Sequence, residues 1–318
     1  MAVPTGTFTT YGAVGEREDL SDVIHDISPI DTPFMSNAKR GKATQTLHEW
    51  QTDSLASAAS NAQIEGDDPD ADTATATVRY SNQCQLSWKV PRVTGTLRAT
   101  DTAGRADELS YQVAKRGREL KRDIETALLS NQGGTAGAAA SARTLAGVGR
   151  WLWDNQVQTC TSATTVTTTS GTPNGAVASV ASASAITESS LKSVIQNIWT
   201  DGGDASLIMC GAADKQTISG FSGIATQYKE NTVGPAAIIG AADVYVSDFG
   251  THYIVANRFT AAGSVYCLDM EYWEVSYLRP IQSTPLAKTG DSDRSMILAE
   301  YTLSALNPSA SGKVYATA

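Results

Sequence analysis

The chain reads as an α+β fold, and three observations predict it. A two-faced β segment occupies residues 46–94, a strongly amphipathic helix follows at 105–129, and a run of strands begins at Asp243. Helices and strands are segregated along the chain instead of alternating, which separates it from parallel βαβ architectures. At 318 residues the chain is long enough for one large domain or two small ones.

The first 45 residues are mostly irregular. Gly6, Gly12 and Gly15 precede a short helical patch around residues 20–27, and Ser28-Pro29 and Thr32-Pro33 each disfavour helix before the proline. An extended arm with one short helix is expected. Lys39, Arg40 and Lys42 near its end fit a solvated turn or an intersubunit contact equally well.

In the β segment, Val78, Tyr80, Asn82, Cys84, Leu86, Trp88 and Val90 share one face. Arg79, Ser81, Gln83, Gln85, Ser87 and Lys89 share the other, because side chains alternate along a strand. The expected partner strand is 46–55, TLHEWQTDSL, joined to it through the acidic segment 65–72. An isolated hairpin is only marginally stable in water, so the apolar stripe needs another surface. A second copy of the same chain is the nearest candidate.

Leu109, Val113, Leu120, Ile124 and Leu128 give the helix one apolar stripe, with Gly117 between them. Lys115, Arg116, Arg118, Lys121, Arg122 and Glu125 fill the rest. Asp107 and Glu108 suit its first turn and Gly133-Gly134 its end. Residues 135–149 are Gly/Ala-rich and lead to Trp151-Leu152-Trp153. Residues 159–186 form a Thr/Ser/Ala segment with a turn at Thr172-Pro173-Asn174-Gly175, expected as a surface insertion. Thr187 caps a second helix, with Leu191, Val194, Ile195, Ile198 and Trp199 as its stripe and Gly202-Gly203 as its end. Residues 207–210 make a short buried strand, and 214–219 begin another helix.

Composition narrows the function. The chain is 41% hydrophobic and 18% charged, as folded proteins are. Its 24 Lys and Arg against 33 Asp and Glu, a net charge of −9, argue against nucleic-acid binding as the main task. Cys84, Cys160, Cys210 and Cys267 lie far apart without metal spacing and read as free thiols. Neither a secretory start nor a membrane-length apolar run is visible, so a soluble, cytosol-made protein is expected.

The catalytic motifs fail in turn. His48-Glu49 opens like a zinc-protease helix but lacks the second histidine and sits in a strand. The turn Asp68 to Asp72 lacks the glycine and the glutamate of a calcium loop. Ser189, Ser190, Leu191, Lys192 with Lys288-Thr289-Gly290 mimics two signatures of serine acyl-enzymes, without the third. No catalytic, cofactor or metal site is expected.

The order of parts carries a resemblance. Arm, hairpin, long helix and α+β remainder resemble the Hong Kong 97-type (HK-97-like) fold of tailed-bacteriophage major capsid proteins. The texts VPTGTFTTYGAVGEREDLSDVIHDISPIDTPFMSNAKRGKA and HEWQTDSL, with WEVSYLRPIQSTPLAKTGDSDRSMILAEYTLSALNP near the end, look like one group of them. The resemblance implies an N-terminal arm at 1–45, an extended loop at 46–103 lying over a neighbour, and a first peripheral part at 104–204. The last contains the spine helix 105–129 and a variable insertion at 155–186. It further implies an axial domain at 205–265 and a peripheral β-sheet at 266–318. Intersubunit contacts would come from Val78, Tyr80, Leu86, Trp88 and Val90, with Trp50 opposite and Arg116 and Arg122 on the spine. Expected partners are further copies in hexamers and pentamers, scaffolding and portal proteins, a cement protein and non-specifically held double-stranded DNA, with no membrane. The product would be a virion capsid assembled in the bacterial cytoplasm. A nanocompartment shell of the encapsulin type is the runner-up.

Overall fold

The computed structural model describes residues 28–63, 65–66, 68, 74–102, 104–158, 167–169, 172–174, 185–221 and 243–315. The expected helix at 20–27, Cys160 and most of the 68–72 turn lie outside them. In chain order the elements begin with α1 (Pro33–Asn37), β1 (Lys39–Lys42), β2 (Leu47–Thr52), β3 (Val78–Gln83), β4 (Gln85–Lys89) and β5 (Arg92–Thr94). Then come α2 (Gly95–Ala99), α3 (Glu108–Leu128), α4 (Val148–Trp151), β6 (Asn155–Gln158), β7 (Thr167–Thr169) and β8 (Thr172–Asn174). The remainder is α5 (Glu188–Thr200), β9 (Leu207–Cys210), α6 (Ala212–Ser219), β10 (Val244–Ser247), β11 (Gly250–Ala256) and β12 (Ser264–Leu268). It closes with β13 (Trp273–Leu286), β14 (Ser292–Ala305) and β15 (Gly312–Tyr315).

Two sheets organise these parts. The first runs β1-β13-β14-β4, with β5 also on β14. The second runs β10-β11-β9-β12-β15-β6. Helix α3 covers the first sheet, burying Leu120, Ile124 and Leu128 with Phe34, Trp151, Trp273, Tyr301 and Leu303. Asp107 caps it, accepting from the backbone N–H of Leu109 and Ser110, so the helix starts slightly later than the sequence suggests. Helix α5 covers the second sheet. Its Leu191, Val194, Ile195 and Ile198 pack with Ile208, Ile254, Val265 and Val314, and Thr187 forms a capping box with Ser190.

Sheet membership departs from linear segments in three places. The basic cluster is neither turn nor loop: β1 adds parallel to the edge of β13, pairing Lys39 with Glu274. Residues 155–158, expected at the start of an insertion, are the edge strand β6 beside β15. Strands β12 and β15 belong with β9 in the second sheet and β13 and β14 in the first, whereas the sequence expectation groups all of 266–318 in one sheet. Thr172, Pro173 and Asn174, expected in a turn, are instead strand β8, with Thr169 opposite Thr172. Among the described residues, no helix is long and apolar enough to cross a membrane.

Candidate assembly surface

Only part of residues 46–94 stands away from the sheets. Strands β2 and β3 pair from Leu47↔Gln83 to Thr52↔Val78. At Cys84 the chain changes partner, and β4 runs beside β14, pairing Leu86 with Glu300 and Trp88 with Leu298. The stripe from Val78 to Val90 is therefore not one continuous hairpin face, as alternation suggested.

The root of the hairpin is held by its own subunit. Asn82, fully buried, donates through Nδ2 to Leu303 O at 2.7 Å and Ala146 O at 3.1 Å, and its Oδ1 accepts from Ala146 N at 2.8 Å. A buried amide so completely bonded fixes β3 to the end of β14. Ser81 exchanges a 2.7 Å hydroxyl bond with Thr172, tying β3 to β8. Trp50 donates from Nε1 to Ala305 O at 2.9 Å. Its ring lies 5.2 Å from that of the fully buried Trp151, and Tyr80 meets the same ring edge-on at 5.9 Å. Burial, with Asp154 nearby, raises the Tyr80 hydroxyl above its ordinary value. Trp50 and Tyr80, expected between subunits, are thus engaged within one. Trp151, noted in the sequence only as part of a Trp-Leu-Trp step, is their anchor.

Beyond the root the exposure is nearly total. Residues 53–63 and 74–79 are all exposed, and Leu55 is 98% accessible. A groove of about 600 Å³ opens at the base, lined by Leu55, Val78, Tyr80, Tyr272, Leu306 and Pro308 among others. Val78 is exposed there. Trp88 and Val90 are exposed on the sheet side of Cys84, while Leu86 is half-buried. A second apolar surface, unmarked by periodicity, consists of Val244, Val246 and Tyr253 on the edge hairpin β10–β11. Trp199 and Phe249, 5.2 Å apart, are exposed beside it. Single alternating residues in short strands gave no sign that this face would be left uncovered.

The charges are mostly used inside the subunit. Arg116 pairs with Glu119 at 2.5 Å, and Arg122 lies 5.7 Å from the centroid of the Phe259 ring. Lys89 pairs with Asp123 of α3 at 2.7 Å. The buried Glu300 receives Arg143 at 2.5 Å and Arg279 at 2.8 Å, clamping residues 135–144 to the first sheet. Glu125, expected on the solvated helix face, is fully buried. It accepts from Phe34 N at 2.8 Å, Met35 N at 3.0 Å and Asn257 Nδ2 at 2.8 Å, so one carboxylate joins α1, α3 and the turn after β11. Burial raises its pKa above the usual carboxylate range, against the pull of those donors.

The residues of the failed catalytic motifs are not brought together. Lys192 pairs with Glu188 on α5 at 2.8 Å, whereas Lys288, in the turn after β13, pairs with Asp293 at the start of β14 at 2.7 Å. The His48 ring lies tilted against Trp50, 5.9 Å away, in the hairpin root. Cys84, Cys210 and Cys267 are buried free thiols, and burial pushes them up to about 11, 12 and 12.

An exposed arm rooted in a two-sheet α+β body with one long spine helix defines the class: an HK-97-like shell subunit. Solved structures agree. The cyanophage A-1(L) capsid asymmetric unit superposes with a TM-score of 0.67 at 11% identity, covering 97% of this chain and 98% of that one. An encapsulin complex from Synechococcus elongatus also superposes, with a TM-score of 0.55 at 10% identity, covering 94% and 92%. The fold alone therefore does not separate viral from compartment shells. The sequence does: the chain belongs to the SU10 major capsid protein family, whose model matches residues 3–318. The major capsid protein of Escherichia phage Phieco32 is 32% identical over 353 residues, covering 100% of this chain and 99% of that one. This is a phage major capsid protein, a structural subunit.

Proposed function

We propose that the chain assembles into the hexamers and pentamers of an icosahedral head enclosing double-stranded DNA, with the arm beyond β2 and β3 laid across a neighbouring subunit. The observation that carries this is the contrast within the arm. A rigid, fully bonded root presents a stretch whose apolar groups, Leu55 and Val78, find no cover in their own subunit. Each subunit lends an arm and receives one, so burial closes around a ring, and many modest contacts sum to a stable shell. Trp88 and Val90 extend the same contact, and Arg116 and Arg122 set register more than affinity. The second sheet, with its exposed β10–β11 hairpin, is the axial part meeting its copies at capsomer centres. The first sheet with α3 is the peripheral part. Scaffolding and portal proteins, and a cement protein on the outside, complete the assembly in the host cytoplasm.

Electron microscopy of protein co-expressed with its scaffold tests this. Closed shells are expected from the intact chain, and deletion of residues 56–72 leaves a folded subunit that forms few or none. Normal shells from the deleted chain would refute the role of the arm.

A further inference from the structure

The charges of α3 are sorted by flank. On one side, Glu119 and Asp123 are matched with Arg116 and Lys89. On the other, Lys115, Arg118, Lys121, Arg122 and Glu125 follow helical spacing as one stripe. Glu125 is buried, so the exposed heads of that stripe are all positive: Lys115, Arg118 and Lys121, with Arg122 half-buried beside them.

The stripe continues onto neighbouring elements through Glu125. Its carboxylate holds the N–H groups of Phe34 and Met35, and the chain runs from there into β1, where Arg40 and Lys42, opposite Val275 and Tyr277 on the α3 side of the sheet, are both exposed. Tyr277 ties the two together: burial raises its hydroxyl, Arg40 draws it down and Glu125 raises it, so both charges are near one ring. On the opposite side Asn257 bonds Glu125, and the next residue, Arg258, is exposed. Among the described residues, Arg40, Lys42, Lys115, Lys121 and Arg258 make no ion pair with a carboxylate. On a protein of net charge −9, exposed cations without an ion-pair partner thus cluster around the buried Glu125.

We propose that this surface lines the inner wall of the shell and contacts the phosphate backbone of packaged double-stranded DNA without reading its sequence. The inference rests on the shell reading above. Clustered cations are what phosphate neutralisation requires, since duplex DNA carries one charge per about 1.7 Å of axis. Acidic surface elsewhere limits adhesion, and repetition around the shell multiplies a weak contact.

The test is fluorescence anisotropy of a labelled duplex titrated with unassembled capsomers across a salt series. Wild type is compared with the fourfold variant Arg40→Gln, Lys42→Gln, Lys115→Gln, Lys121→Gln. The variant is expected to bind at least about tenfold more weakly at low salt. Its slope of log affinity against log salt is expected to be shallower by about 3 to 4, near 0.9 for each phosphate that is no longer neutralised. A control pair, Lys192→Gln with Lys288→Gln, should behave as wild type. An unchanged slope in the fourfold variant, or an equal loss in the control, would overturn the proposal. So would closed shells that bind added duplex as well as capsomers do, because the surface would then lie outside. Microscopy of the same variant separates the two readings: normal shells with unaltered DNA binding sink this inference alone, whereas wild-type protein that never forms shells sinks the reading of function.

Discussion

The root and the outer stretch of the arm are a few residues apart and physically opposite. At the root, Asn82 spends its amide on three bonds to its own subunit, and Trp50 and Tyr80 close over Trp151. Just beyond the end of β2 at Thr52, the chain has left both strand partner and core behind, and Leu55 is almost fully accessible. A subunit that must fold before assembly needs the first kind of segment for its own stability. A shell needs the second, because surface already satisfied at home has nothing to offer a neighbour.

The comparison breaks most sharply at Trp151. Replacing it with alanine should cost about 3–5 kcal/mol of subunit stability, read from denaturant midpoints, because the core under the arm is left with a large cavity. Asn82→Ala comes next, at about 1–3 kcal/mol, since the backbone groups of Ala146 and Leu303 lose a buried partner. An effect below about 0.5 kcal/mol at either position would mean that the root is not built into the core.

A smaller effect comes from pH. Burial lowers the His48 pKa below 6.5, partly offset by Glu274. The folded root then resists protonation more than the unfolded chain does. Stability is complete above the unfolded value near 6.5 and declines as pH falls from there toward the folded value. Thermal melts of wild type and His48→Gln should therefore diverge only on acidification below that point, with the variant losing less. Parallel pH profiles would contradict the assignment.

Much of this is legible in the sequence, for definable reasons. Helices α3 and α5 follow from their apolar periodicity and caps, and β9 to β14 from short apolar runs between turns. What escapes is partner choice. Alternation marks residues 78–89 as strand but not the sheet each half joins, so the switch at Cys84 leaves no mark in the sequence. Asn82 looks like an interruption of an apolar face, although a buried asparagine with three backbone bonds is a rivet. Glu125 falls among the solvated charges because helical spacing cannot show that α1 returns to cover it. Net charge, a sum over the whole chain, hides the exposed cations around Glu125 in the same way. The edge hairpin β10–β11 escapes because its exposed Val246 and Tyr253 have the same residue types as buried strands.

Hydrogen–deuterium exchange, followed by peptide mass analysis on free subunits and on assembled shells, tests the division of the arm most directly. Peptides covering 47–50 and 81–83 should exchange slowly in both states, since their amides are paired and packed within one subunit. Peptides covering 53–63 should exchange rapidly in the free subunit and become protected in the shell. Exchange across 53–63 that stays as fast in the shell as in the free subunit would contradict the account.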